Sequence, residues 1–114
     1  MIAVMSSFSF LRALAAAGEA HQVVTLGVKA GSALFRDGDP APGLPFVVSG
    51  KIELVRWTAD GRPMRMHRAN AGETFAEASV FAGTCHCDAR AMVDSVVELL
   101  PREAVLRGIE RRRP

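Results

Sequence analysis

Two periods divide the apolar positions of the chain. Phe8, Leu11, Leu14 and Ala15 recur at helical spacing, with Ser6 or Ser7 to cap and Gly18 to stop, so residues 7–17 predict an amphipathic helix. From His21 the period becomes two. Val24, Leu26 and Val28 alternate with Val23, Thr25 and Gly27, a strand pattern that β-branched side chains favour. Gly31, Gly38, Pro40, Pro42, Gly43 and Pro45 then exclude a helix over 29–45. Asp37-Gly38-Asp39-Pro40 is a turn by chemistry, because Gly supplies positive φ and Asp bonds the local backbone.

Short strands are predicted at 46–48 and 51–57, around Ser49-Gly50. On the second, Ile52, Leu54 and Arg56 share one face, while Glu53, Val55 and Trp57 share the other. Asp60-Gly61 marks a hairpin tip. In the returning strand Met64 and Met66 alternate with Arg65 and His67, which points the methionines at the core. The stretch 72–91 reads as turn, short helix, loop and strand. Gly72 turns, and residues 75–81 give about two helical turns with Phe75, Ala78, Val80 and Phe81 on an apolar side. Gly83 ends the helix, and a strand starts at Cys85. Ala89, Ala91, Val93, Val97 and Leu99 carry the alternation to Pro101, after which residues 104–106 begin a helix that Gly108 stops. Short strands with turns about every eight to twelve residues predict a mainly β, antiparallel sandwich or barrel.

At 114 residues and 49% apolar side chains, the chain suffices for one domain with a core. Fourteen Lys and Arg stand against 12 Asp and Glu, yet Arg111, Arg112 and Arg113 supply three of the cations. The body is therefore near neutral, which argues against this domain gripping a nucleic-acid backbone. Two cysteines one residue apart give no disulfide framework, so a reducing cytoplasm is the expected compartment. The apolar stretch 8–17, interrupted by Ser9 and Arg12, is far short of a membrane span, and no positive side chain precedes it as in a secretory leader.

Phe75-Ala76-Glu77-Ala78-Ser79-Val80, following Gly72, resembles the phosphate-binding cassette of cyclic-nucleotide-binding domains in bacterial Crp/Fnr transcription regulators. In that family the segment reads Phe-Gly-Glu-Leu-Ala-Leu, then a loop, then Arg-Ser/Thr-Ala. Residues 33–40 are similar to the family's entry segment, 46–52 to its strand-Gly-strand hairpin, Asp60-Gly61-Arg62 to the next hairpin tip, and 96–105 to the closing strand and following helix. The resemblance covers 23–109, leaving 1–22 as an N-terminal helical segment and 110–114 as a basic tail. It implies a double-stranded β-helix, or jelly roll, with an N-terminal helix and a short cassette helix. It also implies a cytoplasmic sensory domain, a homodimer, that receives a cyclic nucleotide or another small anionic effector. DNA contact would fall to a helix-turn-helix domain outside these 114 residues.

The ligand-facing set implied is Gly72, Phe75, Ala76, Glu77, Ala78, Ser79, Cys85 and His86. In the family, helix N–H groups and the positive end of the helix dipole meet the cyclic phosphate, a Glu accepts from the ribose 2′-hydroxyl and an Arg pairs with phosphate oxygen. Glu77 stands at the ribose position, while Cys85-His86-Cys87 occupies the arginine segment and Cys85 the arginine position. Loss of a charged partner to a buried phosphate costs on the order of 2–5 kcal/mol, so the cassette is degenerate.

Other chemistries are weaker in the sequence. Cys85 and Cys87 share one strand face and His86 and Asp88 the other, so the four do not converge on one ion. The alternatives are a cupin-like metal-binding barrel, for which His21, His67 and His86 are isolated, or a thiol redox sensor. Asp37 and Asp39 read as turn formers. No Ser/His/Asp, P-loop or dinucleotide signature appears, and the expectation is a binding module without cofactor or resident metal, not an enzyme.

Overall fold

The computed structural model describes residues 23–111. The predicted helix at 7–17 lies outside them. Seven strands, β1 (Val24–Val28), β2 (Ala33–Phe35), β3 (Gly43–Ser49), β4 (Lys51–Trp57), β5 (Pro63–Asn70), β6 (Asp88–Ala91) and β7 (Ser95–Pro101), are joined by helices α1 (Glu77–Ala82) and α2 (Arg102–Arg111). They form two antiparallel sheets, β1-β7-β3 and β2-β6-β4-β5. This is the mainly β, antiparallel architecture expected from the alternation, in the β-roll form that the resemblance implies.

The core has two parts. Between the sheets pack Phe35, Val47, Ile52, Leu54, Ala69, Phe75, Cys85, Ala89 and Val97. On the other side of β3, Leu44 and Phe46 meet Val80 of α1 and Ala104 and Val105 of α2. Gly43 through Val47 are therefore buried on both faces, so β3 starts earlier than a two-period pattern suggested. Pro45 is tolerated on β3 because this strand ends its sheet, and on the edge away from β7, where only residues 72–75 pair with it, the Pro45 carbonyl still accepts the Phe75 N–H.

Several sequence expectations need correction. Met64 and Met66 face solvent, at 48% and 53% exposure. β5 ends its sheet, and the register passes from Leu54 opposite His67 to Val55 opposite Arg65, a bulge that leaves Met66 without a partner. Only Ala69 of this strand is buried. Val93 lies between β6 and β7 and is exposed, and on β7 Leu100 is fully buried where Leu99 is only partly so. Strand β6 begins at Asp88, three residues after Cys85. α2 continues through Gly108 to Arg111.

The two hairpin signals hold. Around Asp60-Gly61 the Thr58 N–H donates to Arg62 O at 2.8 Å and the Gly61 N–H to Thr58 O at 2.9 Å, with Trp57 opposite Pro63. Gly50, at φ 92°, turns β3 into β4 where an added Cβ would collide with the Ser95 side chain.

Candidate functional site

Backbone pairing to β3 positions the cassette. The Gly72 N–H donates to Val47 O at 2.7 Å, the Val47 N–H to Glu73 O at 2.9 Å and the Phe75 N–H to Pro45 O. Phe75 then fills the space between the sheets, stacked 6.4 Å from Phe35, and anchors the start of α1. Ala76 sits before the helix at φ 55°, ψ 33°, the one non-glycine residue of positive φ among those described. The left-handed region disfavours a Cβ by roughly 1–2 kcal/mol, a cost that glycine at this position would not carry.

α1 is shorter and less buried than its sequence pattern suggested. Val80 and Ser79 are buried, but Ala78 and Phe81 face solvent. The Ser79 hydroxyl donates to Ala76 O at 2.7 Å and so braces the strained residue. Glu77 is exposed and accepts from the Thr74 hydroxyl at 2.7 Å. Gly83 ends the helix at φ 82°, its N–H donating to Ser79 O. The Arg102 Nε–H, from the first residue of α2, donates to Val80 O at 2.6 Å. One charge-assisted bond thus joins the two helices.

The strand half of the cassette is built differently. The Gly38 N–H donates to Cys85 O and the Cys85 N–H to Asp39 O, which lays this segment against the Asp37–Pro40 turn. Asp39 is a turn former as expected, its Oδ2 accepting the Arg36 N–H at 2.9 Å. Cys85 is 1% exposed, in the core beside Phe35 and Phe75. Burial, then the carboxylate of Asp39, the Cys87 thiol and the carboxylate of Asp37, raise its pKa from 9.0 to about 11. Cys87 packs against the same core and is also raised, first by burial and then by Asp37 and Asp88, with Arg56 opposing. Both thiols stay protonated near neutrality, which suppresses the nucleophilic thiolate that a redox sensor needs. Among the described residues, no three His, Cys, Asp or Glu side chains gather as a metal site.

His86 is exposed between these thiols, and its carbonyl accepts from Arg56 Nε–H at 3.2 Å. Of the predicted set, then, Gly72, Phe75, Ser79 and Cys85 are buried supports, Ala76 is partly covered, and Glu77, Ala78 and His86 reach solvent. Arg56 was not in that set. It is exposed near the end of β4, beyond the register shift at Leu54 and Val55, and its spacing alone carries no signal.

An antiparallel β-roll that presents a short helix between β5 and β6 is the architecture that carries the cassette segment. Residues 26–112 match the cyclic nucleotide-binding domain, and the chain belongs to that family. Among solved structures, it is similar to the sensor domain of the transcriptional regulator DNR from Pseudomonas aeruginosa, with 25% identity and TM-score 0.75 over 86% of this chain and 71% of that one. It is also similar to the Thermus thermophilus catabolite activator protein, with 28% identity and TM-score 0.75 over 88% of this chain and 46% of that one. The chain thus spans less than half of that activator. A comparison with curated proteins finds no match.

Proposed function

We propose that this chain is the signal-receiving domain of a Crp/Fnr-type transcription regulator whose cassette has lost its clamp for a cyclic phosphate. The observation that carries the reading is the contrast at Cys85. The segment that supplies a guanidinium in the family here supplies a neutral thiol sealed in the core. Glu77 and the N–H groups of Ala76, Glu77 and Ala78 retain the polar half of the site, and a cation reaches the cassette loop from β4 through Arg56.

The effector on this reading is a small anion held less tightly than a clamped cyclic nucleotide. The domain works without catalysis, as a homodimer in the cytoplasm, and DNA contact belongs to a separate helix-turn-helix domain. No described helix is long and apolar enough to cross a membrane. Loss of the arginine corresponds to about 30-fold to several thousandfold in affinity. Calorimetric titration with cyclic AMP and cyclic GMP is therefore expected to show micromolar or weaker uptake. Nanomolar uptake would mean that the clamp survives in another form.

A further inference from the structure

The outer face of the β2-β6-β4-β5 sheet carries a cleft that the cassette does not use. Arg90 and Asp88 of β6, Trp57 of β4 and Arg36 just beyond β2 line it, against a wall formed by Gly31 and Ser32. It encloses about 580 Å³, inside the roughly 300–1,000 Å³ range of small-ligand sites. Alternation along β6 sends Ala89 inward to the core and Arg90 and Asp88 outward, so this cleft and the buried thiol lie on opposite sides of one sheet.

Three features give the cleft a chemistry. Trp57 is held in place, its Nε1–H donating to Asp88 Oδ2 at 2.9 Å while Asp88 Oδ1 accepts the Asp37 backbone N–H at 2.8 Å. Both oxygens of Asp88 are thereby engaged, and the indole remains 43% exposed. Arg36 and Arg90 form no ion pair among the described residues, and Arg90 Nη2 donates to Gly31 O at 3.2 Å. Their neighbours Arg62 and Arg65 are neutralised by Asp60 and Glu53. Two guanidinium groups against one engaged carboxylate leave an excess positive charge beside an aromatic face.

We propose that this cleft binds an aromatic anion, a planar ring stacked on Trp57 with a phosphate between Arg36 and Arg90, the chemistry of a nucleoside monophosphate. An indole offers any planar base a stacking surface, and a guanidinium matches phosphate oxygens through paired N–H donors. Either contact alone is weak in water; a ligand carrying both spans the cleft. The inference does not rest on the function of the cassette.

Trp57 is the only tryptophan and the chain has no tyrosine, so its emission reports on this cleft directly. Titration of the full chain with 5′-AMP at low salt is expected to give a saturable change in that emission. Adenosine and inorganic phosphate should each bind at least about tenfold more weakly, as should 5′-AMP to Arg36→Gln and to Arg90→Gln. The Arg36 side chain is exposed, so that variant should melt as the parent does and keep the test independent of folding. Unaltered emission at millimolar 5′-AMP, equal affinity for adenosine, or arginine variants that titrate like the parent would each overturn the proposal.

Discussion

The two halves of the cassette, eleven residues apart at Thr74 and Cys85, obey different rules. The helix half is governed by backbone geometry. Ala76 takes a left-handed conformation, Gly83 takes another, and between them six residues of helix are fastened by Ser79 and Arg102. The strand half is governed by burial, with Cys85 placed among Phe35, Phe75 and Ala89 as one more core side chain. On the proposed function, a binding motif keeps its shape while the position of one of its polar members is taken by a core side chain. Shape comes from φ and hydrogen bonds; charge has to remain in reach of water or a counterion.

The most forceful way to break this contrast is to place a charge at position 85. Cys85→Arg places an unpaired guanidinium in a position that is 1% exposed, and the expected cost is about 3–5 kcal/mol or more, seen as loss of the cooperative urea transition. A variant that instead kept its stability and gained cyclic AMP affinity would show that position 85 opens onto a pocket. A gentler probe is pH. The folded thiol titrates near 11 against 9.0 for an exposed one, so the protein is favoured over the unfolded chain below about pH 9, and that advantage disappears as pH rises through 11. The loss is on the order of 2 kcal/mol in urea midpoints taken across that window. Cys85→Ala should flatten the profile over that interval; an equally steep profile in the variant would assign the dependence to another group.

How much of this was legible in the sequence follows the same division. Alternation located the strands at 24–28 and 51–57, and Asp60-Gly61 located its hairpin, because each signal is local. The cassette helix and its closing glycine were readable for the same reason. The methionines of β5 were misread because their exposure depends on two non-local facts, the bulge at Met66 and the place of β5 at the end of its sheet. β3 was read too short because its apolar run is buried from both sides, by the second sheet and by two helices distant in sequence. The spacing of Cys85 and Cys87 places both on one side, and it is cysteine's usual burial, not the spacing, that marks this side as the core. Trp57, Asp88, Arg36 and Arg90 are 54 positions apart at their extremes, and only strand pairing brings them together.

Two smaller effects sharpen the helix half. Arg102→Ala removes the donor to Val80 O and the link between α1 and α2, at an expected cost of about 1.5–3 kcal/mol by urea denaturation. Hydrogen exchange should rise at the end of α1, and no change there would mean that Arg102 is held by its neighbours without holding them. Ala76→Gly should act in the opposite direction. The Cβ at φ 55° costs roughly 1–2 kcal/mol, while glycine adds about 0.4–1 kcal/mol of unfolded-chain entropy to be lost. The difference leaves the variant more stable by up to about 1.5 kcal/mol. That gain depends on the helix half being shaped by its backbone: if Ala76 were held there by contacts of its methyl group with the core beside it, the glycine variant would lose stability, and the contrast between the two halves would vanish.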